Sequence, residues 1–189
     1  YKGSSLVYSD FLPIGSNHIT NDLSVMLHTP HNAAEIIKIK YGNLLSKDID
    51  SEESSAIRKV KIPRIGDEQV MEEISLVDIK NIIHARVEEI LILLKQKIER
   101  SGISDTLDAG IVITGGMSSL KGIKELASLV FDNKPVKIAN PKNIKNGYMN
   151  FDDPKMSTIV GLLFYSLDKN RTFELDSNKK LRRKVIEQK

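Results

Sequence analysis

The sequence predicts an α/β fold, and three of its patterns carry that prediction. Two alternating segments typical of a β-hairpin precede a long amphipathic helix, predicted from Leu76 to Ser101. A run of β-branched residues then stands before a Gly-Gly turn and another helical pattern. Strands that alternate with helices are typical of α/β proteins. The 189 residues, 40% of them hydrophobic, suit one domain or two small lobes.

The N-terminal segment is predicted to form a strand and then a helix. The strand covers Ser5 to Pro13 and precedes a Gly-Ser turn. Asn17 or Thr20 is expected to cap the helix at its N-terminus. Its apolar residues recur at steps of three and four: Ile19, Leu23, Met26 and Leu27.

A second helix is predicted after Thr29-Pro30. Asn32 is expected to cap it, with Glu35 three residues later as in a capping box, and Gly42 is expected to end it. The next segment, Ser46 to Ser55, is polar and acidic, so we predict a surface loop.

The hairpin and the long helix have the clearest patterns. The alternating segments are 57–65 and 70–76, and the turn between them contains Gly66-Asp67. The helix carries acidic Asp78 near its start and basic residues near its end, as the helix dipole favours. Its apolar stripe contains Ile79, Ile82, Ile83, Val87, Ile90, Leu91, Leu94 and Ile98.

The third part of the chain is predicted to continue the alternation. Gly110 to Thr114 is expected to be a buried strand, followed by the Gly115-Gly116 turn and a helix over 119–131. The remaining elements are a strand at Lys134 to Ala139, a loop to Asp153, an apolar helix from Ser157 to Leu167 and a polar tail.

The net charge of +3 is concentrated in that tail. Residues from Asp168 onward contain eight Lys/Arg and four Asp/Glu, which leaves the remaining chain with 20 basic and 21 acidic residues. A nearly neutral body with 5% aromatic residues and no Trp disfavours a nucleic-acid partner. The basic run Lys179 to Lys184 is expected to be a solvated end, with attraction to a membrane surface as the alternative.

The sequence also predicts that the chain has no transmembrane helix and that it is a piece of a longer protein. The longest mainly apolar run, Ile159 to Leu167, is far shorter than the roughly 20 residues of a transmembrane helix. The chain begins at Tyr1 without a Met, which is expected of a piece of a longer protein.

Glu35 and Lys38 are the first candidate binding residues. They are one helical turn apart, so their side chains share a face. A carboxylate and an ammonium so placed suit the two hydroxyls of a ribose. The structural alternative is a capping Glu with a surface ion pair worth a few tenths of a kcal/mol.

Gly115-Gly116 is the second candidate. Glycines after a strand let the main chain approach a ligand closely, although a tight turn explains the same pattern. The sequence around it matches neither a Walker loop nor a dinucleotide fingerprint.

The sequence predicts neither a metal site nor a catalytic constellation. His28 and His31 flank Thr29-Pro30 without a third ligand at metal spacing. Neither a Ser-His-Asp order nor a close pair of carboxylates is evident. The 189 residues contain no cysteine, which excludes a disulfide framework and a thiolate zinc site.

Several stretches together resemble FtsA, the bacterial cell-division family of the actin superfamily. They follow one another in suitable order and spacing up to about Leu167, although single stretches also resemble other actin-fold proteins. The stretches are GSNHITNDLSVMLHTP (15–30), AAEIIKIKYG (33–42), IIHARVEEIL (82–91), GIVITGGMSSLKGIKELASLVF (110–131) and MSTIVGLLFY (156–165).

This resemblance implies the second half of an actin-like, ribonuclease-H-like fold with a smaller inserted α/β lobe. Lobe 2A is then expected at 1–29 and 103–168, the inserted lobe 2B at 30–102, and a basic tail at 169–189. The family's phosphate loop and its distinctive extra lobe are not in this sequence. This chain alone is therefore expected to bind ATP weakly.

The resemblance also implies binding residues. Gly115, Gly116 and Met117 match the family's adenosine motif, and Glu35 with Lys38 matches the pair that contacts the adenosine. Ser16 departs from the family, where a second Gly is common after Gly15.

Arg86 lies on the helix that resembles the family's surface for the C-terminal peptide of FtsZ. It is off the apolar stripe, so we expect it to be exposed and suited to an acidic peptide. A solvated helix face is the structural alternative.

The function implied is that of an ATP-binding, filament-forming adaptor that links FtsZ to the membrane. ATP with Mg is its expected ligand, and FtsZ, further copies of itself and other division proteins are its expected partners. It is expected at the division site on the cytoplasmic side of the cell membrane, through a C-terminal anchor outside this chain. The alternatives are an ATPase or kinase of the same superfold and a stand-alone peptide-binding module.

Overall fold

The computed structural model describes residues 6–45, 58–103, 109–141 and 151–167. Within these ranges the chain forms five α-helices and four β-strands. The loop predicted at Ser46 to Ser55, most of the loop before Asp153 and the basic tail lie outside the described residues.

The described elements confirm the predicted α/β class, with small sheets. Two 3-10 turns, Gly116–Ser119 and Pro154–Met156, precede the fourth and fifth helices. In chain order the other elements are α1 (Ser16–Met26), α2 (His31–Tyr41), β1 (Lys59–Arg64), β2 (Asp67–Ser75), α3 (Leu76–Arg100), β3 (Ile111–Ile113), α4 (Ile123–Val130), β4 (Val136–Ile138) and α5 (Ser157–Leu167).

The four described strands form two separate two-stranded sheets. Strands β1 and β2 are antiparallel and confirm the hairpin, although its two turn residues are Ile65-Gly66, one residue earlier than predicted. Gly66 has a φ of 89°, which favours glycine. Strands β3 and β4 are parallel. Parallel strands need a crossover connection, and α4 lies within it.

Helix α3 forms one wall of the hydrophobic core and confirms the predicted apolar stripe. Helices α1 and α2 form the second wall of this core, and α4 also packs on α3. The buried residues of α3 are Ile79, Ile83, Val87, Ile90 and Leu91, and Ile82, Leu94 and Ile98 are partly buried against the same core.

The strand predicted at Ser5 to Pro13 is wrong for its described part. Residues 6–15 form no strand before α1 begins. A strand requires a neighbour for its backbone hydrogen bonds, and the segment pairs with neither of the described sheets. Its apolar side chains therefore remain open, as shown by Phe11, which is 77% exposed.

The predicted N-terminal caps of α1 and α2 are also wrong, whereas Gly42 ends α2 as predicted. Helix α1 begins at Ser16 after Gly15, whose N–H donates to His18 Nδ1 at 3.2 Å, so neither Asn17 nor Thr20 caps it. Helix α2 begins at His31, directly after Pro30, so Asn32 lies inside the helix. Proline fixes a φ suited to this position and fills it without a side-chain cap.

Two predictions for the third part of the chain need correction. Strand β3 is not buried, because among the described strands it pairs with β4 alone and Val112 is 66% exposed. The helix predicted over 119–131 is shorter, since Gly122, at a φ of 86°, separates the 3-10 turn from α4. The predicted strand before Ala139 and the apolar helix after Ser157 are confirmed by β4 and α5.

The burial of α3 gives a direct stability test. Ile83→Ala is expected to lower the free energy of unfolding by about 2–5 kcal/mol, because Ile83 is fully buried and the truncation leaves a cavity. Ile36→Ala in α2 is the matched control, since Ile36 is 64% exposed, and is expected to change stability by about 0.5 kcal/mol or less. Urea unfolding of both variants measures the difference, and equal losses would contradict this packing.

Candidate functional site

A cavity of about 370 Å³ lies where α1 and α2 meet the two 3-10 turns. Of the five residues predicted to bind nucleotide, four line this cavity: Glu35, Lys38, Gly116 and Met117. The other lining residues are Ser16, Ile19, Ile39, Gly42, Ser119, Leu120 and Lys155.

Lys38 is buried at one wall of this cavity, with 6% of its surface exposed. Its Nζ donates to Glu35 Oε2 at 2.6 Å, to Thr20 Oγ1 at 2.8 Å and to the Ser16 carbonyl at 3.3 Å. An ammonium has three N–H donors, and these three acceptors satisfy all of them. The buried charge is thereby paired and solvated by the protein.

Glu35 has one oxygen inside this network and one outside it. Its Oε2 accepts from Lys38 and from the fully buried hydroxyl of Thr20, at 2.5 Å. Among the described residues Oε1 has no hydrogen-bond partner, and the side chain is 39% exposed. Partial burial alone would raise the pKa of Glu35, but the bonds from Lys38 and Thr20 outweigh it and lower the pKa.

The structural alternative is right about the ion pair between Glu35 and Lys38, at 2.6 Å, but wrong about the cap and about the pair lying at the surface. Glu35 makes no cap hydrogen bond, because its carboxylate turns toward α1. Lys38 is buried rather than solvated. The pair joins two helices, which a sequence spacing of three residues cannot reveal.

The Gly-Gly segment contributes unequally to the cavity. Gly116 and Met117 line it. Gly115 lies behind them, in the left-handed region with a φ of 92°, and its N–H donates to the Pro154 carbonyl at 3.0 Å. That hydrogen bond ties the Gly-Gly turn to the second 3-10 turn, which supplies Lys155 to the cavity.

Gly42 explains how closely α2 approaches the Gly-Gly segment. A Cβ at this position would lie 2.4 Å from the Lys38 carbonyl oxygen and 2.7 Å from Leu120 Cδ2. Only glycine fits without moving the backbone, so the end of α2 can rest directly against Leu120.

Arg86 lies outside this cavity, and the prediction that it is exposed is wrong. Its side chain is 27% exposed, because α1 packs beside α3 and places Asp22 against it. Nε and Nη2 donate to the two carboxylate oxygens of Asp22 at 2.5 and 2.9 Å, and Nη1 donates to Glu89 at 2.5 Å. The hydrogen bonding of Arg86 to the Asp22 carboxylate is the main cause that raises the pKa of Arg86.

Within 6–45, 58–103, 109–141 and 151–167, three or more His, Asp or Glu side chains nowhere come together as a metal site. In the same ranges the helices are too short or too polar to cross a bilayer.

Thr20 and Lys155 are the most informative residues that sequence reasoning missed. The sequence suggests Thr20 only as a helix cap, yet its hydroxyl links Lys38 to Glu35. Its position four residues after Ser16 on a helix is the one available signal, since both then face the same side. Lys155 has no sequence signal, because its place depends on the Gly115–Pro154 hydrogen bond.

The network predicts a measurable pKa for Glu35. In the wild type it is expected below the usual value of 4.5, and in Lys38→Met above it, because burial then acts with less opposition. Carboxyl NMR titration measures both values, with exposed Lys40→Met as the control.

The same shift predicts a pH dependence of stability. A depressed carboxyl pKa stabilises the fold above the unfolded-state pKa, and this contribution is lost as the pH falls through the folded-state pKa. Stability of Lys38→Met should therefore fall less steeply in acid than that of the wild type. An unchanged Glu35 pKa in Lys38→Met would contradict the described network.

Comparison with known proteins identifies the family. The family model described as "Cell division protein FtsA" matches residues 1–161. The cell division protein FtsA of Helicobacter pylori (strain ATCC 700392 / 26695) is 39% identical over 181 residues, covering 94% of this chain and 36% of the relative. The FtsA proteins of Pseudomonas aeruginosa and Escherichia coli (strain K12) are 36% and 31% identical, covering 89% and 96% of this chain.

The extent of these matches is as informative as their identity. The chain spans 36–43% of the length of these three relatives, so it corresponds to a part of each. The family match covers most of the chain, and the stretches that carry the resemblance all lie within it or extend just beyond it. The chain belongs to the FtsA family of bacterial cell-division proteins.

Proposed function

We propose that this chain supplies the adenosine-binding part of an ATP-binding, actin-like cell-division adaptor. One observation carries the proposal: Glu35 and Lys38 line the same cavity as Gly116 and Met117, although the two pairs are far apart in sequence. Family membership supports it, since the FtsA family implies an actin-like fold and ATP as ligand. The division into lobes 1–29 with 103–168 and 30–102 is part of the same proposal.

In this proposal Glu35 contacts the ribose and Lys38 positions Glu35. The Oε1 atom of Glu35 is the open acceptor, so it suits a ribose hydroxyl as donor. The donors of Lys38 are already used, and its longest bond, to the Ser16 carbonyl at 3.3 Å, is the one a ligand oxygen would replace. Ile39, Met117 and Leu120 offer apolar contacts beside these polar groups.

Phosphates, Mg and the remaining partners belong to the whole protein. The sequence shows no phosphate loop, so we propose that the γ- and β-phosphates are held by residues outside this chain. Assembly into filaments, contact with FtsZ and other division proteins, and a position at the cytoplasmic face of the cell membrane are proposed for the full-length protein on the strength of the family.

The ribose contact is tested with Glu35→Gln in the full-length protein. This change keeps the shape of the side chain and removes its charge. It is expected to weaken ATP binding about tenfold or more, because a charge-assisted hydrogen bond is worth about 1.5–3 kcal/mol. The variant should also lose most of the preference for ATP over 2′,3′-dideoxy-ATP, which isothermal titration measures directly.

Glu73→Gln in strand β2 is the matched control, since Glu73 lies outside the cavity lining. It should leave both affinities unchanged. If Glu35→Gln binds both nucleotides like the wild type, Glu35 does not contact the ribose.

We also propose that the α3 surface at Arg86 receives the acidic C-terminal peptide of FtsZ. The guanidinium is held between Asp22 and Glu89, so a peptide carboxylate must approach two existing negative charges. Asp22 is therefore a competitor of the peptide as well as a support for Arg86.

This arrangement predicts opposite effects for two changes. Asp22→Asn is expected to strengthen peptide binding by up to about fivefold, because it removes a competing charge worth about 0.2–1 kcal/mol. Adding Arg86→Gln to Asp22→Asn is expected to weaken binding about tenfold. Fluorescence anisotropy with a labelled FtsZ tail peptide measures both, after circular dichroism has verified folding. Weaker binding by Asp22→Asn alone would show that the intact pair, not a freed Arg86, forms the surface.

A further inference from the structure

A second cavity, of about 650 Å³, forms a groove between α3 and α4. It lies on a different side of α3 from Arg86 and shares no residue with the candidate nucleotide cavity. Its floor is apolar, and two of the apolar residues are open to solvent: Ile92 at 41% and Leu129 at 68% exposure. Leu44, Leu45, Leu126 and Val130 complete the apolar lining.

The rim of the groove is acidic. Glu99 and Glu125 are exposed and have no ion-pair partner among the described residues, and Glu88 lies 3.7 Å from His84. Lys95 also lines the groove, but Asp132 pairs with it at 2.7 Å. The groove therefore presents uncompensated negative charge around an apolar floor, and its complement is a basic segment with a few apolar side chains.

The chain itself contains such a segment. Between residues 179 and 186 the sequence is KKLRRKVI, with five basic residues and no acidic one. Leu181 and Val185 are four residues apart and Ile186 follows, a spacing that places apolar side chains together on a helical face. Charge and apolar pattern both complement the groove.

We propose that the basic segment 179–186 docks into the acidic groove between α3 and α4 of the same chain. In this arrangement Leu181 and Val185 cover Ile92 and Leu129, and the basic side chains face Glu88, Glu99 and Glu125. The proposal is independent of the nucleotide and FtsZ proposals, because it uses neither cavity residues nor Arg86.

The length of the connection is sufficient. Helix α5 ends at Leu167, and twelve residues separate it from Lys180. At about 3.3 Å per extended residue they span about 40 Å, comparable to the diameter of a domain of this size. A tether of this length keeps the segment close to the groove at an effective concentration of the order of millimolar, so even a weak contact is mostly formed within the chain.

The absence of cysteine from the chain makes the test direct. Gln188→Cys introduces a single thiol beside the basic segment, and a nitroxide label is attached to it. Broadening of amide NMR signals is then expected at Ile92, Leu129 and Val130, with the β1–β2 hairpin as reference. It should weaken as salt rises from about 0.1 to 1 M, because the Debye length falls from about 10 to 3 Å.

Charge exchange identifies the contact. Glu99→Lys with Glu125→Lys should remove most of the groove broadening, whereas Glu72→Lys with Glu73→Lys changes the net charge equally and should leave it intact. Adding Lys180→Glu and Arg183→Glu to the groove variant should restore it. Lys180→Glu with Arg183→Glu, without the groove changes, should also remove the groove broadening. These two changes leave every described contact in place, so that loss cannot come from misfolding of the groove.

A mixture of spin-labelled and isotope-labelled chains separates contact within one chain from contact between chains. Groove broadening in this mixture, where each observed chain lacks a spin label of its own, would overturn the intramolecular assignment. Equal broadening of groove and hairpin in the wild type, or none in either, would overturn the docking itself.

Discussion

The arrangement of the candidate nucleotide site depends on one interaction, the hydrogen bonding of the buried Lys38 ammonium to its acceptors. A lone charge in this position would be costly, and the protein offsets the cost with acceptors from two helices: Glu35 on α2, and Thr20 with the Ser16 carbonyl on α1. These bonds fix how α1 lies against α2. They also leave Oε1 of Glu35 without a hydrogen-bond partner among the described residues, as an open acceptor at the cavity wall.

Helix α1 connects this network to a second charged cluster. Its N-terminal turn supplies Ser16 and Thr20 to Lys38, and Asp22, closer to its C-terminus, binds Arg86 on α3. Leu23 and Ile19 on the same helix are fully buried in the core. An eleven-residue helix fixed at both ends in this way has little freedom to shift on its own. A ligand that displaced the Ser16 carbonyl would therefore act on the same helix that supports Arg86.

The sequence predicts the strongly periodic elements well, and it predicts poorly the N-terminal caps of α1 and α2, the N-terminal segment and every feature that depends on tertiary contacts. The stripe that includes Ile79 and Ile83 predicted α3 almost to the residue, because burial of a helix face follows a fixed period. The hairpin is predicted by another fixed period, the alternation of side chains along its two strands. Arg86 was predicted to be exposed because its own helix leaves it off that stripe, but exposure also depends on what packs alongside. Asp22, 64 residues earlier in the chain, binds the guanidinium of Arg86 and reduces its exposure.

The candidate nucleotide site shows the same division. The family resemblance predicts Glu35, Lys38, Gly116 and Met117 as nucleotide-binding residues. Spacing alone predicts only that Glu35 and Lys38 share a helix face. Thr20 and Lys155 join them through contacts between elements, which no local pattern encodes. A hydroxyl that holds both a carboxylate and an ammonium is best recognised from geometry. Because Thr20 is fully buried and bonded to both charges, it determines which oxygen of Glu35 stays open at the cavity wall.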